Sequence, residues 1–350
     1  MRAPSELREW LTAGAAALLA QGAARGARRD AAQALHDLFR AITDPEAGDD
    51  PADARDLPLP TGRALAPLSA GRCVIDFMRT SCYLRALRLA IAEAGRRCGA
   101  VPVHVLYAGC GPFAALAVPL MPGLTEGAVT FTLLEVNARA LAHARAVIEA
   151  LGLGGFVRAY VQADATVWRH DAGAPVHVVV AEALQAGLEQ EPQVALTANL
   201  GPQLADGGIF VPERITLRAC LADRAREHDP AGGGSRSGDR VRVDLGPVLE
   251  ITAAGLDGGR WQDHPGAAAG AVLPAATVVI PRHEVAARDF FILTHLEAGG
   301  GLALGDYDSG LTCPRLLHEL RGLAPGTAVA FTYHVGARPG LRAEVVRRPR

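Results

Sequence analysis

The run Val103-His-Val-Leu-Tyr-Ala-Gly109-Cys-Gly111-Pro-Phe113 is apolar as far as two glycines and stops there. A strand buried on both faces of a parallel sheet reads as a continuous apolar run, and glycines directly after it let the backbone turn tightly and approach a ligand. Further on, Thr130-Phe-Thr-Leu-Leu-Glu135 is a second apolar run that ends in a carboxylate, the group that accepts hydrogen bonds from two ribose hydroxyls. Strand, glycine turn, helix, strand, acid is the order of a nucleotide-binding βαβ unit, so a helix is predicted after the glycine turn. The turn reads G-x-G-x-x-A with Ala114 third, a variant that a dinucleotide site also accepts, so by itself it does not separate one nucleotide from another. Two more strand-like runs follow, Tyr160-Val-Gln-Ala-Asp164-Ala165-Thr and Val176-His-Val-Val-Val-Ala-Glu182, and both meet an acid at their ends. Ligands of open α/β sheets lie outside such carboxyl ends.

These acids need a scaffold, and the rest of the chain supplies its signals. Residues 5–43 read as one or two helices with a polar break near 22–29. The proline- and acid-rich residues 49–62 read as an extended connector, and 73–97 as a strong helix running into the first strand. The βα alternation continues to Leu204 and changes at Ala205-Asp-Gly-Gly208; short β-rich runs at 209–219, 241–244, 276–280, 290–296 and 329–335 then predict an antiparallel part. The expected fold is α/β: a doubly wound Rossmann-like domain with N-terminal helices, followed by an antiparallel β-barrel-like domain. Its divisions are a helical preface and linker at 1–72, the nucleotide-binding domain at 73–207 and the β domain at 208–350. The glycine- and serine-rich residues 229–239 read as a loop.

Composition narrows the function classes. With 350 residues and 49% hydrophobic content the chain can fill two cores. A formal charge of −2 gives no electrostatic case for nucleic acid, and the basic end at 347–350 reads as a solvated tail. The six cysteines, at 73, 82, 98, 110, 220 and 313, show no C-x-x-C or Cys/His ligand spacing, so no metal site and no disulfide framework is expected. The start, with Glu6, Arg8 and Glu9 before an alanine-rich stretch, is unlike a secretory signal, and no apolar run is long enough to span a bilayer. A cytoplasmic protein without a membrane partner is expected.

The A-G-C-G turn followed by a strand ending in Glu resembles S-adenosylmethionine-dependent methyltransferases of the doubly wound type. Four features in order resemble, within them, the protein arginine N-methyltransferases. Asp76-Phe-Met-Arg79-Thr80-Ser-Cys-Tyr83 is similar to that family's D-x-x-R-T-x-x-Y helix, whose arginine holds the carboxylate of the methionine moiety; arginine is the natural bidentate partner of a carboxylate. Glu182 and Glu191 reproduce the family's E-x8-E pair, with Glu189 as the alternative second acid. Two carboxylates converging on a planar cation can take its N–H groups in paired hydrogen bonds and aim its nitrogen at a methyl donor. The segment 202–217 is similar to the passage from the Rossmann domain to the β-barrel, and the β-rich remainder is the fourth feature. The resemblance covers roughly residues 73–345. It implies S-adenosylmethionine as cofactor, held by Arg79, Tyr83, Gly109, Gly111, Glu135, Asp164 and Ala165, with Glu182 and Glu191 as catalytic and acceptor-binding residues.

The family's T-H-W loop has no clear counterpart. Thr294-His295-Leu296 sits inside a strand-like run, where a core or surface histidine is expected. The loop's place holds Asp306-Tyr-Asp308-Ser309-Gly-Leu-Thr-Cys313-Pro, whose Asp308 and Ser309 suit a free amino acid or amine better than a peptide groove. The long helical dimerisation arm is not evident either, its region being 230–238 and the segment around Trp261, although a homodimer stays compatible with the sequence. The expected activity is methyl transfer to a guanidino or amino nitrogen of a small molecule, with free arginine or an arginine-derived metabolite first. Glu182 and His170 are candidates to pass the released proton to water. The alternatives are a protein arginine methyltransferase, a methyltransferase of another natural-product nucleophile, and a binding module without catalysis.

Overall fold

A computed structural model describes residues 3–43, 50–99, 102–171, 173–227, 241–256, 269–282 and 289–348. The glycine-rich stretch near 230–238, the segment around Trp261 and the last two residues lie outside the described residues.

The N-terminal region forms two helices, α1 (Pro4–Leu19) and α2 (Arg25–Thr43), separated where Gly22 takes a φ of 82°. Each buries one stripe: Leu11, Ala15 and Leu18 on α1, and Ala32, Leu35, Leu38 and Phe39 on α2. Both stripes pack on a long helix, α4. The expected connector is ordered into a small hairpin of β1 (Leu57–Leu59) and β2 (Gly62–Ala64), followed by the short helix α3 (Pro67–Arg72). α4 (Phe77–Cys98) starts at Asp76, whose carboxylate accepts the Arg79 N–H at 3.2 Å, and ends at Gly99 with φ 55°.

The central sheet is built from β3 (Val103–Ala108), β4 (Val129–Glu135), β5 (Val157–Gln162), β6 (Val176–Ala181) and β7 (Leu204–Val211). It is parallel throughout, in the order β5-β4-β3-β6-β7, with α5 (Ala138–Ala150) and α6 (Gln193–Leu200) among its connections. The chain moves outward from β3 to β5 and then returns to the other side of β3, which opens a crevice between the ends of β3 and β6. β3 is buried at every residue: Val105 and Tyr107 face the main core, Leu106 and Ala108 the core on the opposite side.

Two expectations are corrected here. The helix predicted after the glycine turn is instead a succession of turns over 111–120 and a short 3-10 segment, Met121–Gly123. Ala114 takes a left-handed φ of 44°, and Pro119, interior to the expected helix, lacks an N–H and has a ring that would clash with the preceding turn. The run 209–219 is also not one antiparallel element: 209–211 pair parallel with β6, and the antiparallel part begins with β8 (Arg214–Ala222).

The remaining strands are β9 (Arg242–Ile251), β10 (Val272–Val279), β11 (Asp289–Gly299), β12 (Leu302–Leu304), β13 (Arg315–Leu317), β14 (Ala328–His334) and β15 (Gly340–Arg347). They form two antiparallel sheets, β12-β11-β8-β9 with β13 also on β11, and β10-β14-β15. One continuous apolar core runs from α1 and α2 through the face of the parallel sheet into these strands, so the helical preface is packed as part of the main body. Among the described residues no helix is long and apolar enough to cross a membrane.

Candidate functional site

A cavity of about 410 Å³ opens at the carboxyl ends of the parallel strands, within the range of small-molecule sites. Its floor is the turn after β3, where Gly109 and Gly111 have φ of 69° and 62°. These left-handed values strain any residue with a Cβ. The N–H groups of Gly109 and Cys110 donate to Leu134 O at 2.9 and 3.3 Å, tying the turn to the end of β4. Phe113, also at the cavity lining, packs on Phe39 of α2, with ring centroids 5.4 Å apart.

Glu135, Asp164 and Ala165 line the same cavity. Glu135 Oε2 accepts the Gly111 N–H at 2.9 Å and Oε1 the Asn137 N–H at 2.9 Å. Burial pushes its pKa up, against the pull of these backbone donors. Asp164 Oδ1 accepts both the amide and the hydroxyl of Thr166 at 2.8 Å, a local turn that holds the carboxylate at the wall.

Arg79, on the first turn of α4, forms an ion pair with Glu182, just beyond β6, and both side chains are almost wholly buried. Asp76 adds a link to the antiparallel part, because its Oδ2 accepts the Ser309 hydroxyl at 2.6 Å and the Gly310 N–H at 2.9 Å. The loop from Glu182 to Glu191 is strained: Leu188 and Gln190 have φ of 56° and 66° without being glycine. Three elements hold it. Gly187 N–H donates to Thr294 Oγ1 of β11 at 2.8 Å, Tyr333 of β14 donates its hydroxyl to Leu188 O at 2.7 Å, and Arg63 N–H of β2 donates to Gln190 O at 2.9 Å.

Both candidate second acids of this loop line the cavity, in different surroundings. Glu189 Oε2 is paired with Arg315 at 2.7 Å, whereas Glu191 is buried at the cavity wall. Burial pushes the Glu191 carboxyl up to about 7, even though the charge of Arg79 opposes the shift.

Other expected site residues lie elsewhere. Tyr83 is wholly buried in the core, its hydroxyl without a hydrogen-bond partner among the described residues, and it does not line the cavity. Asp308 accepts the Gly305 N–H at 2.9 Å and lies 3.9 Å from Arg25, while Ser309 spends its hydroxyl on Asp76; neither lines the cavity, although Gly310, Leu311 and Cys313 do. His170 packs against His104 and Trp168, away from the lining residues. His295 lies 3.1 Å from Asp306 and is about 42% exposed, so it is a surface histidine, while its neighbour Thr294 faces inward to hold Gly187. Two cavity arginines, Arg63 and Arg315, carried no signal in the sequence: they follow no periodicity, and only tertiary register brings them to this wall.

No protein-family model matches the sequence, and no curated protein matches it. Solved structures do. Protein arginine methyltransferase 10 of Arabidopsis thaliana, in a uniquely open conformation, superimposes with a TM-score of 0.48 at 12% identity over 73% of this chain and 84% of its own. The Trypanosoma brucei PRMT1 enzyme-prozyme heterotetrameric complex with AdoHcy aligns with a TM-score of 0.51 at 11% identity, over 79% of this chain and 92% of that one. A Rossmann-like parallel sheet followed by antiparallel sheets, in the arrangement of an arginine methyltransferase, is thus the fold of this chain.

Proposed function

We propose that this chain is an S-adenosylmethionine-dependent N-methyltransferase whose acceptor is a guanidino or amino nitrogen of a small molecule, with free arginine as the first acceptor to test. One observation carries the reading: a buried arginine, Arg79, paired with Glu182 in the same cavity as a second buried acid, Glu191, and a left-handed glycine turn.

The residues present fit the cofactor. Gly109 and Gly111 leave the turn bare of side chains, Glu135 retains acceptor capacity for a ribose, Asp164 and Ala165 stand at the next strand exit, and Arg79 offers a guanidinium to a carboxylate. When bound, S-adenosylmethionine supplies a methyl group on a positively charged sulfur that leaves as a neutral thioether. The chain's own work is then positioning and electrostatics. Glu182 and Glu191 take the N–H groups of the cationic acceptor and turn one nitrogen toward the methyl. Each transfer releases one proton from that nitrogen, and Glu191, held near neutrality by burial, is the group suited to receive it.

The small-molecule reading is supported by the β1–β2 hairpin, which abuts the backbone of residues 190–192 and covers the loop that carries Glu191. The fold favours a second reading, methylation of arginine in a protein. A mass-spectrometric assay with labelled S-adenosylmethionine against free arginine, simple amines and an arginine-rich peptide tests both. Methylation of free arginine but not of peptide is the expected result; peptide methylation alone would replace the first reading with the second, and no transfer to any cationic acceptor would remove both.

A further inference from the structure

Arg63 lines the cavity, yet the proposed transfer does not use it. Its position is set by its backbone. The Arg63 N–H donates to Gln190 O, one residue before Glu191, at 2.9 Å. The preceding Gly62 has φ 143°, and a Cβ there would lie 2.6 Å from the same carbonyl, so only glycine lets the hairpin come this close. The charge of Arg63 is accordingly among those that act on the Glu191 carboxyl.

The guanidinium is only partly satisfied. Nη1 lies 2.9 Å from Asp56 Oδ2, and Asp56 is itself fixed through Oδ1, which accepts the Ala66 N–H at 2.8 Å. Nε is enclosed by protein, whereas the side chain as a whole is about 39% exposed, so a ligand meets this guanidinium at its terminal N–H groups. A carboxylate at those terminal N–H groups would form a charge-assisted pair, and the tether to Asp56 means little side-chain freedom is lost in forming it. The other arginine of this wall, Arg315, already has Glu189 at 2.7 Å. Among the described residues Arg63 shares its charge with Asp56 alone, and a cation with no anionic group gains nothing from it.

We infer that Arg63 receives a carboxylate of the acceptor, so that the acceptor is a zwitterion, with its guanidino or amino nitrogen at Glu182 and Glu191 and its carboxylate at the hairpin. This rests on the methyltransferase reading of the cavity. It separates a free amino acid from an arginine within a peptide, which has no α-carboxylate, and from a decarboxylated amine.

The test is calorimetric binding of L-arginine and of agmatine, the same guanidine without the carboxylate, to the full-length protein saturated with S-adenosylhomocysteine. Wild type and Arg63→Gln are compared, with thermal melts to establish that both are folded. Wild type is expected to bind arginine at least about tenfold more tightly than agmatine, as a charge-assisted pair implies. Arg63→Gln is expected to bring arginine down to the level of agmatine, with agmatine bound no more weakly than before. Equal affinities in wild type, equal weakening of both guanidines in the variant, or binding of neither would overturn the inference. So would weaker S-adenosylhomocysteine binding by Arg63→Gln, which would assign the arginine to the cofactor. Should wild type bind neither S-adenosylmethionine nor S-adenosylhomocysteine, the underlying reading of the cavity fails, and that readout is independent of the guanidines.

Discussion

The Tyr333 hydroxyl donates to the Leu188 carbonyl at 2.7 Å, so a strand near the end of the chain holds the strained loop on which Glu189 and Glu191 stand. Tyr333→Phe removes the bond and leaves a buried carbonyl without it, at a cost of about 1–3 kcal/mol. Turnover is expected to fall about tenfold or more, given how steeply rate depends on placement, with cofactor affinity nearly unchanged. Steady-state kinetics beside calorimetry checks this; an unaltered kcat would show that the loop keeps its shape without the tyrosine.

Arg79 and Glu182 should behave as a pair. Arg79→Ala leaves a buried carboxylate without its counter-charge and is expected to cost about 3–5 kcal/mol of stability as well as weakening cofactor binding. Adding Glu182→Gln should restore much of the stability and none of the cofactor affinity. Urea titrations and calorimetry on the single and double variants separate the two effects; full recovery of binding in the double variant would give Arg79 a purely structural role.

Glu191 predicts a pH dependence of definite sign. Its folded pKa, about 7, lies above the ordinary carboxyl value of 4.5, so the folded state binds the extra proton between these values. Stability contributed at this site is therefore highest at low pH and declines as pH rises through 7, by about 3 kcal/mol in all. Glu191→Gln should abolish that decline, which denaturant midpoints from about pH 5 to pH 8 would show. The rising limb of kcat/KM, with its midpoint near 7 in wild type, should vanish in the same variant.

A second titration has the opposite sign. At the far end of β3, His104 Nε2 lies 2.9 Å from Thr132 Oγ1 and Nδ1 3.1 Å from Pro175 O, while its backbone N–H donates to His177 Nδ1 at 2.9 Å. Burial pushes His104 down to about 4 from 6.5, and His177 is lowered too, so the unfolded chain binds more protons in this range. Stability is then lost as pH falls from about 6.5 toward 4. An NMR titration showing His104 protonated at pH 6 in the folded protein would contradict this.

The parallel strands and their chemical ends were legible in the sequence, because strands buried on both faces announce themselves as apolar runs and a ligand crevice collects the polar residue at each exit. Glu135, Asp164 and Glu182 all line the cavity at those exits. The crossover over 111–123 departs from the helix that the βαβ order predicts, because Ala114 is left-handed and Pro119 interrupts the run. Tyr83 shares a helix with Arg79 yet turns into the core, and Asp308 and Ser309 approach the site only to brace it, as side-chain direction depends on packing that spacing does not record. Arg63 was out of reach for a related reason: its place beside Gln190 is a contact across most of the parallel sheet's sequence.

The packing of Phe113 on Phe39 joins two processes that would otherwise be separate. The turn that would lie against the cofactor is backed by a helix from the start of the chain, so whatever steadies one steadies the other. Cofactor affinity and the docking of α1 and α2 then form a single linked equilibrium. Ligand added at the cavity would slow hydrogen exchange in helices it never touches, and loosening those helices would release the ligand.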